Sequence, residues 1–235
     1  MSLLSFIPFQ RKAMSAGVLI MLSILFMWIS ADFIYGEYAE VVRNTMIIYF
    51  FLFLIPYTIL NRAPKTIMGE SVWNFLIGFL GTGAVLFIVT QGIGIFGTSA
   101  VLSEPFVAAI TVAGIGFGVL HAFVKAYIEE SVFRWALPKY AGLGDVISNI
   151  LFGIFHFSIL TSLTIPSMIS AGTLTDLGAA NWMYAVMPVV TLTILGLIWA
   201  LVRDRIGIMG STGSHTAWNM FALGILPGIF MGGMG

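Results

Sequence analysis

PFVAAITVAGIGFGVLHAFVKAYIEESVFRWAL, residues 105–137, is the stretch on which the fold turns: an almost unbroken apolar run that nevertheless carries Glu129, Glu130 and Arg134 near its end. A charged side chain at bilayer depth costs several kcal/mol even on lenient scales, so such groups are paired and usually have a function. On a helix Glu130 and Arg134 lie four apart on one face, where an ion pair is natural. Glu129 is turned about 100° from Glu130 and points towards whatever the bundle sets beside it. At about 1.5 Å per residue the run would extend about 50 Å, too long for a hydrocarbon core of about 30 Å. It is expected to start at Pro105 and to break near Gly114-Ile115-Gly116-Phe117-Gly118.

Working outward, the whole chain repeats this character. Of 235 residues 59% are hydrophobic and 9% charged, against roughly a quarter charged in a soluble domain. The apolar residues come in long continuous runs, not in the ten-residue alternation of an outer-membrane barrel. The expected fold is all-α: a polytopic membrane helical bundle forming a single integral membrane domain over residues 1–235. Lysine plus arginine balance aspartate plus glutamate at ten each, so no basic surface points to nucleic acid. No cysteine is present, which excludes thiol nucleophiles, disulfides and thiolate metal sites. His121, His156 and His215 are the only imidazoles.

Seven spans are expected. A lead ending at Arg11-Lys12 precedes a first span over 14–31, read as a retained helix and not a cleaved signal. A polar loop with Asp32, Glu37, Glu40 and Arg43 separates it from a second span over about 45–60. A glycine-rich third covers about 72–95, the long run supplies the fourth, and the others cover about 145–165, 182–202 and 206–223, with a glycine-rich tail from Pro227. With the N-terminus cytoplasmic, the inner segments hold Arg11, Lys12, Arg62, Lys65, Lys139, Arg203 and Arg205, the outer ones only Arg43. That distribution obeys the positive-inside rule. Trp28, Trp73, Trp135, Trp182 and Trp199 fall near span ends and read as interface anchors.

This topology fixes depth. Glu129 lies ten residues before Lys139, His156 eleven after Asp145 and His215 ten after Arg205, so each sits roughly 15 Å in from the cytoplasmic side. They can meet in mid-bilayer. Asn219 lies one turn beyond His215 on the same face, so both can donate to a single oxygen. Phe152 lies one turn before His156. A buried carboxylate, an imidazole and a second pair of donors are what amide hydrolysis by water requires: a base for the water and donors for the developing oxyanion.

Glu129-Glu130-x-x-x-Arg134, Phe152-x-x-x-His156 and His215-x-x-x-Asn219 follow one another as the EExxxR, FxxxH and HxxxN motifs of the CPBP intramembrane proteases, also called the Abi or Rce1-type CAAX proteases. The chain resembles that family over about residues 105–223; the three helices of residues 1–104 add nothing diagnostic. The resemblance implies a glutamate-dependent endopeptidase using neither metal nor cofactor; it is expected in the cell membrane of a prokaryote, with its site open to the cytoplasm. Its partners would be membrane lipid and a membrane-associated or prenylated peptide or protein. Glu129 and His156 would activate water, His215 and Asn219 would form the oxyanion hole, and Glu130 with Arg134 would hold the motif helix.

Blander readings stand beside these. Glu130 with Arg134 could be a structural pair only, the histidines could be helix packing, and Asn219 interhelical glue. Lys125 and His121, four and eight residues before Glu129 on its face, could pair with it or hold it ionised. One glutamate and two histidines are also a zinc ligand set, though they come from three helices and no HExxH is present. A scaffold, immunity or assembly subunit binding a membrane-protein partner would keep the fold without the chemistry. A proton-coupled transporter is weaker, for want of an inverted repeat.

Overall fold

Helix formation follows the apolar runs. The computed structural model describes residues 9–35, 39–60, 72–83, 85, 115–156 and 179–222. Those residues are helical apart from the turn at 141–143. They form α1 (Phe9–Tyr35), α2 (Ala39–Leu60), α3 (72–83), α4 (115–140), α5 (144–156) and α6 (Ala179–Ala222). The loop expected at 61–71, the outer parts of the third, fourth and fifth spans and the tail from Pro227 lie outside the described residues.

Helices run further than hydrophobicity alone implies. Asp32 closes α1, and Glu40 and Arg43 open α2; Arg43 pairs with Asp32 and joins the two helices. These charges, expected in a loop, are helical because a terminal turn can be apolar on one side and polar on the other. The boundary expected at Arg203-Asp204-Arg205 is likewise helical, and the chain breaks two residues later at Gly207, with φ 81° and ψ 178°. Only glycine adopts that region without strain of about 1–3 kcal/mol. Gly207→Ala is therefore expected to lower stability by about that amount, read as a lowered denaturation midpoint of the purified protein.

A cluster of polar and charged side chains is buried within the hydrophobic core. Glu129, Glu130, Arg134, Asn149, His156, His215 and Asn219 are buried. The outward faces are apolar, with Val18, Leu22, Leu25 and Ile29 of α1 exposed at helical spacing, Ile147, Ile150 and Ile154 of α5, and Val190, Ile194 and Leu201 of α6. Contiguous apolar surface of this kind marks a face that meets lipid or protein. Taken over the described residues alone, no helix is long and apolar enough to cross a membrane.

Two contacts position the site. On α3, a Cβ at Gly78 would meet the Gly210 backbone and one at Gly83 would meet Ser214 and Ala217; from α6, a Cβ at Gly213 would meet the Phe75 backbone. Glycine on both sides lets the backbones touch, the close packing that small residues permit between helices. The third helix thus sets the depth of the His215 helix. On the other flank, Tyr49 of α2 meets Phe133 of α4 edge-on at 5.3 Å and Phe155 of α5 at 5.9 Å.

Arg203 forms a clasp. Pro138 has no N–H to give to the carbonyl four residues back, that of Arg134. The Arg203 guanidinium donates to that carbonyl and holds Asp145 through two bonds of 2.8 and 3.0 Å. Expected as an interfacial loop charge, Arg203 is instead buried and ties α4, α5 and α6 together. Trp135 and Trp199 are corrected in the same way: both are buried core side chains, not interface anchors, whereas Trp73 is exposed.

Candidate active site

Glu129 and Glu130 end the regular α-helical part of α4, and Ser131–Ala136 continue it as a π-turn. The Ser131 hydroxyl donates to the Tyr127 carbonyl at 2.7 Å as the turn opens, and Leu137 N–H bonds to the Val132 carbonyl five residues back. Such wide turns concentrate at functional sites. Here the turn carries Arg134 back towards Glu130, whose Oε1 lies 3.5 Å from Nη1.

The Arg134 guanidinium is completely buried, and none of its nitrogens makes a hydrogen bond among the described residues. Its Cζ lies over two rings, 3.9 Å from the Phe152 centroid and 5.3 Å from that of Trp199. A buried guanidinium needs such compensation from π-faces and a counter-charge. Gly196 leaves the space: a Cβ there would come within 2.8 Å of Arg134 Nη2 and would also strike Asn149.

Both histidines point at Glu129. His156 donates from Nδ1 to the Phe152 carbonyl at 2.9 Å, since a carbonyl can only accept. Its Nε2 lies 3.4 Å from Glu129 Oε1. His215 places Nδ1 2.9 Å from Glu130 Oε1 and Nε2 3.3 Å from Glu129 Oε2. One imidazole thus bridges two adjacent glutamates, because its two nitrogens lie on different edges of the ring and so span the 100° between consecutive helical positions. Glu130 also accepts a hydrogen bond from Ser211 Oγ. Trp199 stacks on His215 with centroids 3.9 Å apart at 15° and donates to Ser214 Oγ at 3.1 Å. The His156 side chain is 11% exposed and that of Glu129 1%.

Glu129, Glu130, Arg134, His156 and His215 are therefore brought together from three helices. Asn219 is buried one turn beyond His215, with Nδ2 unpartnered among the described residues. No ion pair joins Lys125 to Glu129 among those residues. Ser211 and Trp199 belong to the site although the motif spacing does not include them: Ser211 is one turn before His215, a visible signal, whereas Trp199 reaches His215 only through the reversal at Gly207. No group of three His, Asp or Glu side chains among the described residues is arranged to hold a metal ion.

The Rce1-like family model, described as type II CAAX prenyl endopeptidase Rce1-like, matches residues 111–221. Over this stretch the chain is similar to the Rce1-like family. The match contains all three motif helices and stops short of α1, α2 and α3. The Rce1-like family is a protease family of integral membrane proteins, and the similarity supports a hydrolase and a membrane location at the level of the family. No curated protein and no solved structure matches.

Proposed function

We propose that this Rce1-like protein is an intramembrane endopeptidase that hydrolyses a peptide bond of a membrane-associated or prenylated substrate with water activated by Glu129 and His156. The observation that carries this reading is the Glu129 carboxylate set between two imidazole nitrogens at 3.4 and 3.3 Å. A water entering beside His156 would give its proton to this carboxylate–imidazole pair while its oxygen attacks the carbonyl carbon. Asn219 Nδ2, buried and unpartnered among the described residues, is a donor in want of an acceptor, and the charged carbonyl oxygen of the tetrahedral intermediate would supply one. Seven spans, a cytoplasmic N-terminus and a site opening to the cytoplasm of a prokaryotic cell complete the proposal, supported by the charge pattern of the loops.

The test is cleavage by the purified full chain in detergent micelles of internally quenched peptides with and without a farnesyl group, the products identified by mass. Site-specific cleavage is expected, and faster turnover of the farnesylated peptide would define the substrate class. A protein that cleaves neither peptide and co-purifies with another membrane protein would instead be a scaffold built on the same fold.

A further inference from the structure

We infer that Glu130 is a positioning residue that holds His215 as the Nδ1–H tautomer, so that His215 enters the reaction as a proton carrier to the leaving amine. This rests on the hydrolytic reading above and deepens it. The Glu130 carboxylate faces three donors: the Arg134 guanidinium at 3.5 Å, the Ser211 hydroxyl, and His215 Nδ1 at 2.9 Å. An acceptor at Nδ1 places the ring proton there, leaving Nε2 with a lone pair in the neutral ring. That lone pair faces Glu129 Oε2 at 3.3 Å, an oxygen with no hydrogen bond among the described residues. Two acceptors face each other across a gap that one proton would fill.

A neutral His215 in this tautomer cannot donate to an oxyanion; it can do so only after Nε2 has been protonated. The geometry supplies the route. As the water oxygen bonds to the carbonyl carbon, Glu129 takes one water proton and the carbonyl π-pair moves to oxygen. The proton passes from Glu129 Oε2 to His215 Nε2, and the imidazolium is stabilised by Glu130 on its other edge and by the Trp199 face stacked against it. When the oxyanion pair re-forms the carbonyl, the C–N bond breaks and the amine nitrogen takes the Nε2 proton. Glu129 and His215 end as they began, and the products are one carboxylic acid and one amine.

The first measurement is the nitrogen NMR spectrum of the full chain, labelled with ¹⁵N-histidine, in micelles, with His215 assigned by its loss in His215→Gln. Neutral His215 is expected to carry its proton on Nδ1; a proton on Nε2 overturns the inference, whatever the protease assay shows. The second is Glu130→Gln, which keeps shape and an acceptor but removes the charge behind the imidazolium. With the peptide substrate kcat is expected to fall about 100-fold, within the range for loss of acid–base assistance, with KM within about twofold. With an activated aryl ester of the same peptide, whose leaving group needs no proton, the loss is expected to shrink below about tenfold. Equal losses on amide and ester would assign Glu130 and His215 to the oxyanion hole alone and overturn the inference. Should Glu130→Gln not fold, the tautomer of the wild-type ring still decides.

Discussion

Glu129→Gln is expected to reduce peptide cleavage by about 10⁴-fold, to the assay background, while the protein folds as before. The side chain is 1% exposed and its two oxygens face His156 Nε2 and His215 Nε2 at 3.4 and 3.3 Å. An amide of the same shape fills the same space, and its NH₂ can donate to either imidazole, so packing and polar satisfaction survive. The base does not survive. Glutamine cannot take a proton from water, and losses from disabling a base or its orienting partner run to about 10⁴-fold. The measurements are the rate on the internally quenched peptide and the denaturation midpoint in the same micelles. Undiminished cleavage with an unchanged midpoint would remove Glu129 from the role of base and sink the glutamate-dependent mechanism.

The opposite pattern, a large loss of stability, is expected at Arg134. Arg134→Ala leaves the buried Glu130 carboxylate without its guanidinium neighbour at 3.5 Å and vacates the ring faces of Phe152 and Trp199. Removing one partner of a buried ion pair costs about 3–5 kcal/mol, because the remaining charge stays desolvated. Arg134→Lys restores the charge but not the flat group over Phe152, and should recover part of the loss. Reversible denaturation in micelles reads both. A loss under about 1 kcal/mol for the alanine variant would mean that Ser211 and His215 alone compensate Glu130.

The FxxxH motif gains a physical meaning from the same cluster. Phe152 does more than precede His156: its carbonyl fixes the His156 ring through Nδ1, its own ring lies 4.4 Å from His156, and that ring forms the floor under Arg134. The first motif helix is thereby coupled to the second through an aromatic face as well as through Glu129.

Composition and spacing settled a good deal by themselves. Long apolar runs require helices, because a backbone in hydrocarbon must satisfy its own hydrogen bonds. Counting at a fixed rise per residue put Glu129, His156 and His215 at one depth, which is a statement about length alone. The i, i+4 relations of Glu130 with Arg134, and of Phe152 with His156, follow from the helical period. Tertiary structure decided what a period cannot express. Which edge of His215 meets which glutamate depends on the azimuth of the α6 segment after Gly207. That azimuth is set by the reversal at Gly207 and by backbone contact with α3 through Gly78, Gly83 and Gly213. Trp199 and Arg203, spaced like an interface anchor and a loop charge, became the stacking partner of His215 and the clasp of three helices. A side chain near a helix end can turn inward or outward with equal ease, and only the neighbouring helix chooses.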